Sequence, residues 1–243
     1  MSNSIFGIHP VIEALEAKQN LEKVYIQKGI KNPQVSHIES LVKKENIAIS
    51  YVPVEKLNKL SKNSNHQGVF AYSSPISYIS LESLLENMEN NSSTPLFLLL
   101  DEITDVRNFG AIIRTAESLN VNGIIVPQQG SAPINEQTVK TSTGAVFHIP
   151  ICKVSHLKDA LFYLKSYGIS TIAATEKTQH MIYDLDLKKP LAIIMGSEGN
   201  GVSQGLLKMV DEKAKLPMLG KTSSLNVSVA CGAILYEVIR QRL

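Results

Sequence analysis

Apolar and polar positions along the chain fall into short runs whose spacing predicts strands and helices in alternation. In the first third, Lys23–Gln27, Ile47–Val52 and Gly68–Tyr72 are rich in β-branched or aromatic residues, which predicts three strands. Between the first two, Asn32-Pro33 supplies a helix N-cap and a proline at the first helical position. Val35, Ile38, Leu41 and Val42 then recur on one helical face. His9-Pro10 and Val52-Pro53 introduce two shorter helical patterns. The pattern describes a small α/β domain over residues 1–80.

A polar stretch follows. Glu86–Pro95, ENMENNSSTP, has no apolar periodicity and several turn formers, so residues 81–95 are expected to be a linker. From 96 to 243 the alternation is stronger. Strands are predicted at Leu96–Leu100, Gly123–Val126, Ile169–Ala174, Leu191–Met195 and Ala214–Leu216. Helices are predicted at about Ala111–Leu119, Leu157–Lys165, Gln204–Val210 and Val227–Gln241. Strands alternating with helices imply βαβ crossovers and a mostly parallel sheet. Ligands on such sheets sit beyond the carboxyl ends of the strands, so the loops after them are expected to carry the chemistry.

Composition narrows the class. The 243 residues are 44% hydrophobic and 19% charged, as in folded globular chains. The longest apolar runs, such as Leu96–Leu100, are far below the roughly 20 residues of a membrane helix. The opening MSNSIFGIHP lacks the basic and apolar regions of a signal peptide, and Cys152 and Cys231 form no disulfide framework or zinc pattern. The cytoplasm is the expected location, without a membrane partner. Net charge is +2, from 24 Lys+Arg against 22 Asp+Glu, which by itself does not announce a nucleic-acid partner. Residues 1–80 hold 9 Lys and 6 acids, a modest +3. The arginines are confined to Arg107, Arg114, Arg240 and Arg242.

Several segments carry candidate chemistry. GSEGNG, residues 196–201, directly follows a predicted strand, where glycines let backbone amides approach a ligand. Its order is not the dinucleotide fingerprint, and Glu198 would repel a pyrophosphate; this argues against a dinucleotide-dependent oxidoreductase. Residues 201–205 match G-x-S-x-G. The preceding strand ends too early for a nucleophile elbow and no histidine follows, so Ser203 reads as a helix N-cap. In DEITDVRNFGAIIRTAESL, residues 101–119, Asn108 is placed to cap a helix starting near Phe109-Gly110. Arg114 would then lie near the positive end of that helix among apolar residues, wanting a phosphate or a carboxylate such as Glu198. LPMLGKTSSLNVSVA, residues 216–230, leads from a strand into the last helix through Ser223, Ser224 and Asn226. The six histidines show no metal-ligand spacing, and His66-Gln67-Gly68 reads as a turn.

Taken together, three of these segments resemble the signature motifs of the SpoU (TrmH-type) RNA ribose 2′-O-methyltransferases of the SPOUT superfamily. The first is Asp101–Ala116, with Asn108, Gly110 and Arg114 in matching places; Val106 stands where many relatives have proline. The second is IIMGSEGNG, residues 193–201, and the third is Leu216–Ala230, with the core SLNVS. FGIHPVIEAL and HQGVFA resemble the substrate-binding domain of the 23S rRNA guanosine 2′-O-methyltransferase branch.

The resemblance implies a C-terminal SPOUT α/β domain with a parallel sheet and a deep trefoil knot, preceded by a small α/β RNA-binding domain. It implies a homodimer that takes the methyl group from S-adenosylmethionine, with no metal, and acts on RNA, 23S rRNA above tRNA. By the same resemblance, Gly196, Leu216, Met218 and Leu225 hold the cofactor. Arg114, Asn108, Glu198, Ser224 and Asn226 serve the reaction.

Overall fold

The computed structural model describes residues 4–89 and 94–243. Two compact units emerge: one runs to Ser77 and takes in Pro133–Glu136, and the other comprises Tyr78–Ala132 and Gln137–Leu243.

The first unit contains β1 (Ser4–Phe6), α1 (Ile8–Glu16), β2 (Leu21–Gln27), α2 (Pro33–Lys44), β3 (Ala48–Val52), α3 (Val54–Leu60) and β4 (Val69–Ser73). Its four strands lie in the order β1-β4-β2-β3. β2 and β3 are parallel, and β4 runs antiparallel to β1 and β2. Helix α2 starts as its residues dictate: the Asn32 side chain accepts a hydrogen bond from the Gln34 amide at 2.8 Å, and Val35, Ile38 and Val42 are buried. Because strand side chains alternate between faces, Val24, Ile26, Val69 and Ala71 join Val11, Leu15 and Ile38 in an aliphatic core. Phe70 belongs to a second cluster with Phe6, Tyr25 and Tyr72. His66 is a structural turn residue: its Nδ1 accepts from the Gly68 amide (2.9 Å) and its Nε2 lies 2.9 Å from Asn58 Oδ1.

The second unit contains α4 (Leu81–Glu89), β5 (Leu96–Leu100), α5 (Val106–Ser118), β6 (Gly123–Pro127), α6 (Glu136–Thr141), β7 (Ile151–Val154), α7 (Leu157–Ser166), β8 (Ser170–Ala174), β9 (Leu191–Met195), α8 (Gln204–Leu207), β10 (Glu212–Ala214) and α9 (Val227–Arg242). The six strands lie in the order β10-β8-β9-β5-β6-β7, all parallel. β5 and β9 are buried at every position, as strands covered on both faces must be. Leu81, Leu84 and Leu85 of α4 and Leu157, Leu161 and Leu164 of α7 pack with Phe97, Leu99, Ala192 and Ile194. α5 packs against α9. Among the described residues no helix is long and apolar enough to cross a membrane.

Five expectations are corrected. Residues 81–89, expected in the linker, form α4, because Leu81, Leu84 and Leu85 supply a helical apolar stripe that the polar residues after it obscure. Residues 90–93 of the expected linker lie outside the described residues. α5 begins at Val106 because Asp105 is its N-cap: its carboxylate accepts from the amides of Arg107 (2.8 Å) and Asn108 (3.0 Å). Asn108 is therefore inside the first turn, and Arg114 lies in the second half of the helix, away from its positive end. β10 ends where a strand was expected to begin, and α8 is a single turn.

Candidate active site

The loops after β5 and β9 and the start of α9 converge. Asn108 Nδ2 donates to Glu198 Oε1 at 3.1 Å, and Asn226 Nδ2 donates to the same oxygen at 2.5 Å and to Asn108 Oδ1 at 3.0 Å. Asn226 is held from below, since its Oδ1 accepts the Ser228 amide (3.0 Å) and hydroxyl (2.6 Å) as the N-cap of α9. Three side chains from distant parts of the chain thus fix one another's orientation, with the Glu198 carboxylate as common acceptor.

Beside this cluster lies a cavity of about 360 Å³. Gly196, Glu198, Leu216, Met218, Ser224 and Leu225 all line it, together with Met195, Val227, Ala230 and Ile234. Met195, Leu216, Met218, Val227 and Ile234 give it apolar surface. Glu176 and Glu198 give the wall two carboxylates, so its chemistry suits an apolar ring system carrying positive charge rather than a pyrophosphate.

The glycine-rich turn has a steric cause. A Cβ on Gly196 would come 2.0 Å from the carbonyl carbon of Gly201 and 2.1 Å from the Val202 amide nitrogen, distances only glycine avoids. Gly201 has φ 67, a left-handed conformation, and its amide donates back to the Ser197 carbonyl at 2.9 Å. Ser203 stands at the N-cap position of α8, but its side chain makes no capping bond. Its backbone amide instead donates to the buried Asp101 carboxylate at 2.7 Å, tying the turn to the end of β5.

Arg114 is not drawn into the cluster. It is exposed, and among the described residues it makes no hydrogen bond or ion pair; Glu198 is occupied by the two asparagines instead. Six residues beyond Asn108, it sits about 9 Å further along the axis of α5. Thr175 and Glu176, at the carboxyl end of β8, line the cavity and were not singled out from the sequence. The rule that parallel sheets bind ligands beyond strand ends was the available pointer. No group of three or more His, Cys, Asp or Glu suited to a metal occurs among the described residues.

After a smaller α/β unit, the chain carries an all-parallel α/β unit with a cavity beyond its strand ends, beside the asparagine–glutamate cluster. A profile described as the SpoU rRNA Methylase family matches residues 95–236, and one described as RNA 2′-O ribose methyltransferase substrate binding matches residues 4–79. The chain belongs to the SpoU rRNA methylase family and is an RNA 2′-O-ribose methyltransferase. It is 36% identical over 238 residues, 98% of this chain and 95% of the other, to YacO of Bacillus subtilis, described as a TrmH family tRNA/rRNA methyltransferase. An AdoMet-bound rRNA methyltransferase from Sinorhizobium meliloti superposes with a TM-score of 0.63 at 25% identity, over 99% of this chain and 87% of that one. The A. aeolicus TrmH/SpoU tRNA modifying enzyme gives 0.57 at 30% identity, over 67% of this chain and 84% of that one.

Proposed function

We propose that the enzyme methylates the ribose 2′-hydroxyl of a guanosine in 23S rRNA, using S-adenosylmethionine and working as a cytoplasmic homodimer. The observation that carries the reading is the cavity lined by Gly196, Leu216, Met218 and Leu225, next to the Asn108–Glu198–Asn226 cluster. Its size lies in the range of ordinary small-molecule pockets, and its apolar side chains and two carboxylates fit an adenosine bearing a sulfonium. When bound, S-adenosylmethionine supplies a methyl group already on a good leaving atom.

The residues of this chain then have to align and activate the hydroxyl. The Arg114 guanidinium has no partner among the described residues; its role is to hold an RNA phosphate, whose oxygen takes the hydroxyl proton, and to stabilise the alkoxide as it develops. Ser224, exposed and lining the cavity, takes a further phosphate contact in this reading. Asn108 and Asn226 hold Glu198 and present a fixed polar edge to the ribose. The rRNA target is favoured over tRNA because the rRNA methyltransferase aligns with both units, whereas the tRNA modifying enzyme covers 67% of this chain.

Dimerisation is supported by α9, where Val229, Ala233 and Tyr236 are exposed at i, i+4 and i+7, an apolar stripe on one face. Light scattering should give twice the 26.7 kDa chain mass. The knot belongs to the same reading and follows from membership of the SpoU family, whose signature segments at residues 193–201 and 216–230 this chain carries. An experimental chain trace that unties when its ends are pulled apart would remove it.

The deciding assay offers labelled S-adenosylmethionine with separate rRNA and tRNA pools and maps the blocked 2′ positions. Label at a 23S guanosine is expected, and no label in either pool refutes the proposal. Arg114→Ala should lose methylation while binding S-adenosylmethionine within about twofold of wild type, because the side chain lies outside the cavity lining. Retained turnover would take Arg114 out of the mechanism.

A further inference from the structure

One face of the four-stranded sheet gathers four aromatic rings and two lysines. Its opposite face is sealed by α1 and α2 over an aliphatic core. The face in question carries Phe6, Tyr25, Phe70 and Tyr72, which strand register places side by side: Phe6 opposite Phe70, and Phe70 opposite Tyr25. The rings form a continuous set, with Phe6–Phe70 stacked at 6.3 Å and Tyr25 and Tyr72 meeting Phe70 edge-on at 6.3 and 5.0 Å. The short helix α3 buries Phe70 through Leu57, but Phe6, Tyr25 and Tyr72 remain half-buried.

Two lysines converge on the same place. Lys23 Nζ lies 5.3 Å and Lys56 Nζ 5.5 Å from the centre of the Tyr25 ring. Neither has an ion pair among the described residues. Burial, and then the like charge of Lys56, push the Lys23 pKa below its ordinary value. An aromatic ladder alone would be explained as cross-strand packing. Two ammonium groups gathered over one ring with no carboxylate between them are not explained that way; they leave a place for an anion. Half-exposed aromatic rings beside unneutralised cations match what unpaired nucleic acid requires, a π-face for the base and positive charge for the backbone.

We propose that this face stacks unpaired bases of the substrate RNA on Tyr25 and Tyr72 and holds adjoining phosphates with Lys23 and Lys56. The proposal rests on the reading of the chain as an RNA methyltransferase and assigns to its first unit the chemistry by which it selects single-stranded segments.

The test uses the full chain, a fluorescent twelve-nucleotide oligouridylate and a blunt RNA duplex of the same length. The single strand should bind more tightly than the duplex. Tyr25→Leu and Tyr72→Leu should each weaken oligouridylate binding by roughly 5- to 150-fold, the effect of losing one base–aromatic stack. Tyr25→Phe should keep wild-type affinity. The Lys23→Ala, Lys56→Ala double variant should flatten the plot of log affinity against log salt by about 0.7 for each phosphate contact removed. If a leucine variant loses cooperative unfolding, the lysine variant decides alone, since Lys56 is exposed and Lys23 only half-buried. Unchanged oligouridylate affinity in folded leucine variants, or an unchanged salt slope, overturns the proposal. So does a dimer that dissociates in the leucine variants while RNA affinity holds, which would give the face to a second copy of the chain. Wild-type protein that binds oligouridylate but methylates no RNA would refute the enzymatic reading and leave the platform standing.

Discussion

The two sheets of this protein cover their faces in different ways, and the difference decides where chemistry can sit. In the six-stranded sheet, LFLLL and LAIIM are buried from end to end, because helices close both faces. Only the strand ends are free there, and the cavity and the asparagine–glutamate cluster are built from the loops beyond them. In the four-stranded sheet, LEKVYIQ alternates: Glu22, Val24 and Ile26 are buried while Lys23, Tyr25 and Gln27 are half-buried. That sheet leaves one face partly open around the Phe70 that α3 covers, so its chemistry lies across the strands. A continuous apolar run marks a scaffold whose edges work; an alternating run marks a scaffold whose face can work.

The comparison can be broken most severely at Gly196. Gly196→Ala forces a Cβ into backbone 2.0 Å away, which no side-chain shift relieves. The second unit should lose more than the roughly 1–3 kcal/mol of ordinary overpacking, and S-adenosylmethionine binding should disappear in calorimetry. Wild-type affinity in that variant would mean the turn is not sterically required.

Next in size is a paired test of the two sheets. Leu98→Ala in β5 should cost about 2–5 kcal/mol in urea unfolding, the range for a buried leucine in a close-packed core. Tyr51→Phe in β3 removes an exposed hydroxyl bond to Glu39 (2.7 Å) and should stay within about 0.5 kcal/mol of wild type. Equal losses would contradict the contrast between a sealed central strand and an exposed position on an edge strand.

Acid sharpens the contrast further. The bidentate Arg240 guanidinium, with help from Gln241, holds the Glu237 carboxyl down to about 2 from 4.5. A depressed acid stabilises the fold above its unfolded pKa, and that contribution fades as pH falls from about 4.5 towards 2. Glu237→Gln should therefore lower the melting temperature at pH 7 and converge with wild type near pH 2. Parallel curves would exclude the linkage. In the first unit the charge is instead unfavourable: Lys23 has a lowered pKa, so its charge opposes folding below that pKa and the opposition lifts as pH rises towards 10.5. Lys56→Ala should remove part of that repulsion and slightly raise the melting temperature of the RNA-free protein at pH 7. A fall would show that Lys56 stabilises the unit rather than loading it.

The smallest effect concerns the thiols. Burial pushes both Cys152 and Cys231 up to about 12, so neither should react with a thiol reagent at pH 8 until the second unit unfolds. Rapid labelling of the native protein would reveal an opening of the sheet that its packing does not suggest.

Particular residues show how far the sequence could be read. β5, β9 and α2 were legible because an apolar run and an Asn-Pro cap act locally. Helix α4 was not, because three leucines followed by Asn and Ser read as a polar connector until a core to receive them is known. Asp105 and Asn108, three residues apart, are equally good capping types in the sequence; which one serves depends on where the chain leaves β5. Thr175 and Glu176 carry no motif of their own and matter only because β8 lies beside β9.

By itself, the sequence determined the alternation of strands and helices, the sealed character of the central strands and the side chains that three of its loops could offer. These follow from hydrophobic periodicity and capping, which act over a few residues. Only the tertiary structure decided that Asn108 and Asn226 share one carboxylate, that Arg114 stands apart from it, that Gly196 admits no side chain, and that two lysines meet over Tyr25. Directional hydrogen bonds, close backbone passage and charge proximity depend on segments far apart in the chain arriving at the same place, and no local pattern encodes that distance.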